Sequence, residues 1–207
     1  MNPETSAAVS RIYSQINDQV ASVQASTGLH CPPGCGKCCE NPEVEVSPLE
    51  MVPMALEIIR LGETQQWLER IAAAPVPGRC VSYEPNGQNP GTGRCQLYLW
   101  RPALCRLFGF AAVTDKTGTP KLAACAVHKH QAADTIAMAQ VSIASGLPVP
   151  LFADWQTRIA NLDPHWGHQR LPINQALQIA LEKLSLHLAY EMQNPGNAGK
   201  ISDGCSR

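Results

Sequence analysis

No apolar stretch of this sequence approaches the ~20 residues that a membrane-spanning helix requires. Lysine and arginine are scattered, the formal net charge is −1, and there is neither a basic stripe nor an acidic tail. Nucleic-acid binding needs clustered cations, so no nucleic-acid partner is expected. The opening residues, Met1-Asn-Pro-Glu-Thr-Ser6, lack the basic region and continuous apolar segment of a secretory signal. We therefore expect a cytoplasmic protein with reduced thiols. No glycine-rich turn follows a strand and opens a helix; Gly91-Thr-Gly93 lies in a loop leading to Cys95. That argues against a nucleotide-type pocket for a methyl donor. Internal repeats and long low-complexity segments are also missing. Length is not lacking: 207 residues bury roughly 70% of the unfolded chain's surface. The fold does not need cysteines as staples.

What the chain has is cysteine, nine in all, four of them within Cys31-Pro-Pro-Gly-Cys35-Gly-Lys-Cys38-Cys39. Proline and glycine exclude a helix there. Crowding four thiols into a stiff loop gains nothing in packing, but it suits convergence on a metal. Cys80, Cys95, Cys105 and Cys125 follow on separate segments. Thiolates are soft donors that select zinc or iron–sulfur clusters. The Cys35-Gly-Lys-Cys38 spacer is common in tetrahedral thiolate sites. Adjacent Cys38 and Cys39 either complete different metals or reach different irons of one cluster. Lys37, Arg79, Arg94 and Arg106 each adjoin one of these cysteines. Arg101 and Arg106 bracket Cys105, and we expect them to support the ligands from outside by favouring the thiolate forms.

Along the chain, Val9, Ile12, Tyr13, Ile16, Val20 and Val23 mark one face of a helix over residues 4–27, stopped by Gly28. Val44–Val46 reads as a short strand. Ser47-Pro48-Leu49-Glu50 is a helix start, with Ser as N-cap and Glu three residues on. That helix is expected to reach Leu61 and stop at Gly62, with Pro53 distorting its first turns. Residues 63–74 form another, with Trp67, Leu68 and Ile71 inward. Residues 75–93, rich in proline, glycine and asparagine, read as loop. A helical turn is expected after Pro102. Phe110–Thr114 and Lys121–Val127 read as a hairpin around Asp115–Gly118, with Cys125 near the end of its second strand. Helices are expected over 130–145, 151–161 and 172–193, the last with Ile173, Leu177, Leu181, Leu184 and Leu188 on one face. The polar segment 194–207, which holds Cys205, is expected to be disordered.

Two other cysteine chemistries fit by spacing and fail by context. Cys31-x3-Cys35-x2-Cys38 matches the triad of radical S-adenosylmethionine enzymes, but a helix precedes it and strands are too few for their barrel. Cys35-x-x-Cys38 has a redox-motif spacing, yet it lies among two further cysteines rather than between a strand and a helix. In Cys125-Ala-Val-His128-Lys-His130 the histidines offer imidazole ligands at a spacing that can bind zinc, but they have no special spacing to the cysteine loop. We read them as polar residues at a strand-to-helix junction. His165 and His168, beside Trp166, read as surface residues.

The ordered set of features resembles the zinc- or iron-chelating CxxCxxCC family, also called the YkgJ-like cysteine cluster family. The tight cysteine group is followed by Ser47 to Glu50, then Cys80, then Cys95-Gln-Leu-Tyr98. Last comes Arg101-Pro102-Ala-Leu-Cys105-Arg106-Leu-Phe108. The resemblance covers roughly residues 31–125. Two positions depart from it: the first spacer is three residues, and Gly109 stands where a proline often follows the phenylalanine. The resemblance implies metal chelation. A related domain occurs in proteins resembling flagellin lysine N-methylase, so a cluster-dependent protein-modifying enzyme is the alternative function. No catalytic residue is assigned.

The expected fold is mainly α with a small β-hairpin and cysteine-rich loops organised around a metal site. The expected division is an N-terminal helix (1–29), a cysteine-cluster domain (30–130), a C-terminal helical part packing on it (131–193) and a tail (194–207). Eight cysteines suffice for two zinc sites, or for one [4Fe–4S] cluster with four left over. Four cysteines in nine residues, two of them adjacent, favour the iron–sulfur cluster over Zn²⁺. A redox or other protein partner would follow from an electron-transfer role.

Overall fold

The computed structural model describes residues 3–87 and 92–194. Helix α1 (Pro3–Thr27) presents the expected stripe. Val9, Ile12, Tyr13, Ile16 and Val23 are buried, and Val20 packs at the edge of the core. Gly28 ends the helix at φ +69°, a conformation that residues with a Cβ rarely adopt.

The start at Ser47 forms as its residue types dictate. Ser47 Oγ accepts from the Glu50 amide (3.2 Å), and the Glu50 carboxylate accepts from the Ser47 amide (2.8 Å). A 3-10 turn, Leu49–Met51, leads into α2 (Val52–Arg60). Pro53 falls in the first turn of α2, where its missing N–H removes no helical bond. Helix α3 (Thr64–Ala72) buries Trp67 and Ile71. Short α4 (Ala103–Leu107), α5 (Ala126–Gln131), α6 (Ala133–Ala144), α7 (Phe152–Ala160) and α8 (Pro164–Gly167) follow. Helix α9 (Ile173–Gln193) closes the described chain. It packs along α2, and Ile58, Leu177, Leu181 and Leu184 are fully buried between them.

The strands are three two-stranded antiparallel pairs, rather than one hairpin. β1 (Glu45–Val46) pairs with β6 (Leu171–Pro172) and closes the chain onto the start of α9. β2 (Tyr83–Pro85) pairs with β3 (Gly93–Cys95) in the register Tyr83↔Cys95. β4 (Ala112–Thr114) pairs with β5 (Pro120–Leu122) around a turn held by Asp115, which accepts from the Thr117 and Thr119 amides. The stretch 75–93 is therefore not all loop. Its strand carries too little alternation to be read locally, and it is ordered by its partner. Cys125 lies beyond β5, not on it: it is the N-cap of α5. The expected tail lies outside the described residues from 195 onward.

One hydrophobic core holds side chains from α1, α2, α3, α4, α7 and α9. Residues 1–29, 30–130 and 131–193 all contribute to it. The cysteine segments lie over this helical body and are fastened to it at several points.

Candidate metal centre

The loop from Cys31 is shaped by its glycines. Gly34 sits at φ +70°, and the Cys35 amide folds back to the Pro32 carbonyl (3.1 Å). At Gly36 a Cβ would lie 2.3 Å from the Tyr83 ring, so the ring packs directly on the loop backbone. A 3-10 turn, Lys37–Glu40, then carries Cys38 and Cys39. Two bonds tie the loop to its neighbours: Gly93 donates to the Gly34 carbonyl (3.0 Å), and Cys80 donates to the Cys39 carbonyl (3.4 Å). The β2–β3 pairing sets Cys95 beside Tyr83.

Asn174, at the start of α9, clamps the Cys80 segment. Its side-chain oxygen accepts from the Val81 amide, and its amide donates to the Arg79 carbonyl, both at 3.0 Å. Arg106 fastens the Cys105 turn. It donates to the Arg101 carbonyl (2.8 Å), the Leu99 carbonyl and Asn17 Oδ1 of α1 (2.9 Å), and lies over the Tyr13 ring at 4.4 Å. Its bonds are thus to the backbone and to α1, and burial pulls its pKa down to about 10.

Electrostatics define which thiols lie together. Charge on Cys38 raises the pKa of Cys31, Cys39, Cys80, Cys95 and Cys105, so Cys38 is the hub. The neighbouring Cys39 thiol lowers the Cys38 pKa, and Cys38 together with burial holds Cys39 far above the usual thiol value. Burial and the neighbouring Cys80 push Cys95 up to about 11 and Cys105 well above the usual value. Cys80 is itself raised by burial. Charge on Cys38 is thus felt at Cys39, Cys80, Cys95 and Cys105, and also at Cys31. Cys31 is pushed up to about 11 by desolvation and then by Cys35 and Cys125.

Arg101 is the cation that counters these thiols. It stacks 3.7 Å from the Tyr98 ring and lowers the thiol pKa values of Cys31, Cys38, Cys95 and Cys105. The other cations that flank cysteines are engaged elsewhere. Lys37 pairs with Glu40 (3.0 Å), Arg94 pairs with Glu84 (2.7 Å), and Arg79 faces the Tyr83 ring.

His128 lies at the expected junction, in the first turn of α5 after its N-cap Cys125, and is buried at 1% exposure. His130, His165 and His168 are exposed. Residues that position the cysteines, namely Asn174, Tyr83, Asn17 and Arg70, have no sequence signal, because each acts on a segment remote in the chain. Arg70 donates to the Val81 carbonyl (2.9 Å) and to Gln96 (2.9 Å), bracketing the β2–β3 pair.

The eight cysteines of the described residues are free thiols. Their donor chemistry fits a thiophilic metal. As the side chains stand, no three His, Cys, Asp or Glu residues among those described converge tightly enough to hold an ion. The fit therefore rests on the donor set and its assembly, not on closed coordination.

Fold and side chains together define a helical protein bearing a layer of free thiols. The CxxCxxCC family model, described as a "putative zinc- or iron-chelating domain", matches residues 30–135, just over half of the chain, and the chain belongs to that family. No curated protein and no solved structure matches it. Among the described residues no helix is long and apolar enough to cross a membrane.

Proposed function

We propose that the protein is an iron–sulfur protein in which Cys31, Cys35, Cys38, Cys39, Cys80, Cys95, Cys105 and Cys125 supply the metal ligands. Residues 30–130 are the metal-binding unit, with 1–29 and 131–193 as the helical support. The observation that carries this reading is the set of eight free thiols, four of them within the Cys31–Cys39 loop. A mononuclear zinc site takes four donors, whereas four cysteines in nine residues, two of them adjacent, suit a polynuclear cluster. Arg101 offsets the negative charge of the thiolates. Arg106 orients the Cys105 turn through its backbone bonds, which is how groups outside the ligand set tune a metal. A cluster so placed would serve electron transfer or hold the loops together, in a reducing compartment such as the cytoplasm, and electron transfer would require a redox partner.

Protein purified without oxygen is expected to be brown, with broad visible absorbance. A colourless protein carrying stoichiometric zinc would contradict the iron assignment and leave metal binding standing.

A further inference from the structure

A second polar site lies apart from the cysteines. The 3-10 turn Leu49–Met51, α7 and α8 border a cavity of about 180 Å³ that no cysteine lines. It is smaller than the roughly 300–1,000 Å³ of sites for drug-sized molecules. Gly167 sets its shape: a Cβ there would lie 2.5 Å from the Ala160 Cα, so α8 presses directly on the end of α7. An ion pair forms part of the wall. Glu50, 2% exposed, holds Arg170 at 3.0 Å through Oε2, which also accepts from the Ser47 amide. The Leu104 amide lies against the carboxylate, yet Oε1 completes no hydrogen bond of acceptable geometry. Arg170 keeps N–H groups beyond those on Glu50 and the Glu45 carbonyl. A capping box works at an exposed helix start, so it explains neither the burial of Glu50 nor its arginine, and burying such a pair is costly. The rest of the polar lining, Gln156, Thr157 and His168, makes no hydrogen bond or ion pair among the described residues. By contrast, Trp155 and Arg158 of the same α7 bond to Gln19 (3.1 Å) and Gln15 (2.7 Å) of α1.

We propose that this cavity binds a small zwitterion of the α-amino-acid class, with its ammonium on the Glu50 carboxylate, its carboxylate on Arg170, and Gln156 and Thr157 completing the contacts. The balance of charge selects the class. The Glu50–Arg170 pair is neutral as a whole, so a ligand of net charge would bring an uncompensated charge into a half-closed space. A zwitterion presents the opposite charge to each partner, and such charge-assisted bonds are stronger than neutral ones. The small volume selects short side chains. Gln156 and Thr157 can each donate and accept, so they meet either end of the ligand. Burial raises the Glu50 pKa, and an adjacent ammonium would oppose that rise. A perturbed carboxylate in the wall of a cavity is a mark of functional sites. The inference does not depend on metal at the cysteine layer.

The test is calorimetric titration of the full chain with glycine, L-alanine and L-serine, and with acetate and methylamine, which carry one charge each. Saturable binding of at least one of the amino acids is expected, about tenfold or more tighter than either single-charge probe, because each probe forfeits one charge-assisted bond. Gln156→Leu should weaken that binding about tenfold without lowering Tm, since the Gln156 side chain holds nothing in the free protein. Glu50→Gln should lose the amino acid and gain affinity for acetate, as Arg170 is then left without its counter-charge. If Glu50→Gln fails to fold, Gln156→Leu decides. No saturable binding of any of the three amino acids overturns the inference. So does an affinity for acetate or methylamine equal to that for the amino acid, and so does wild-type affinity in Gln156→Leu. The titration reads the same with or without bound metal, so its failure leaves the iron–sulfur reading untouched.

Discussion

Arg106 and Arg101 show how two residues of one motif divide their work. Arg106 reaches two backbone carbonyls and Asn17 from a nearly buried position over Tyr13. Lysine would keep the charge but cannot span three acceptors with a planar fork. Arg106→Lys is expected to cost about 1–3 kcal/mol in chemical denaturation, the penalty for leaving buried acceptors unmet. Arg101 instead acts on four thiols through charge. Arg101→Gln should therefore weaken metal retention in chelator competition, with little change in the stability of the helical body. Cys38→Ser and Cys105→Ser should each lower metal content, and Cys205→Ser should not. Cys31, Cys35, Cys38 and Cys39 are legible because they lie within nine residues, and Arg101 and Arg106 because they bracket Cys105. His128 is visible in the sequence as a histidine near Cys125, but its burial is not, because that comes from Gly109 and Phe110 packing on the ring. Gly109, at φ +89°, also accounts for one departure from the family pattern, since proline cannot adopt that conformation.

Among the elements, the periodic helices were readable and the short pairings were not. The stripes of α1 and α9 repeat at three and four residues over many turns, so burial can be assigned from spacing alone. The strands are two or three residues long, too short for any period to show. They exist because remote segments meet. The clamp at Asn174 is the plainest case, since it holds the Cys80 segment from the first turn of α9. Asn174→Ala should cost about 1–3 kcal/mol and lower metal occupancy, because Cys80 then loses its fixed backbone. Glu50 joins more elements than its capping box requires. It bonds Ser47, pairs with Arg170 at 3.0 Å and lies against the Leu104 amide of α4. Burial raises its pKa above 4.5, and the Ser47 amide and Arg170 only partly oppose that. A raised carboxylate favours folding at pH below its ordinary value and loses that contribution as pH rises through the folded value. Wild-type stability should therefore fall relative to Glu50→Gln as pH is raised from about 4.5 toward neutrality, as read by denaturant midpoints. An unchanged difference between the two proteins would contradict this account of Glu50.

For the whole molecule, the division of labour is between a helical body that packs by itself and a thiol layer that a metal would organise. Ile58, Leu177, Leu181 and Leu184 are fully buried in a core that Cys80 also joins. Leu181→Ala should cost about 2–5 kcal/mol, as for other buried leucines. Chelation of the metal should instead leave the helical far-ultraviolet signal largely intact while lowering the Tm. The central claim is that these eight thiols are gathered to bind metal. Elemental and sulfide analysis of the full-length protein, purified without oxygen, tests it most directly. The account predicts tightly bound iron with inorganic sulfide in comparable amount. Folded protein with no bound metal and eight thiols freely titrating among Cys31 to Cys125 would contradict it.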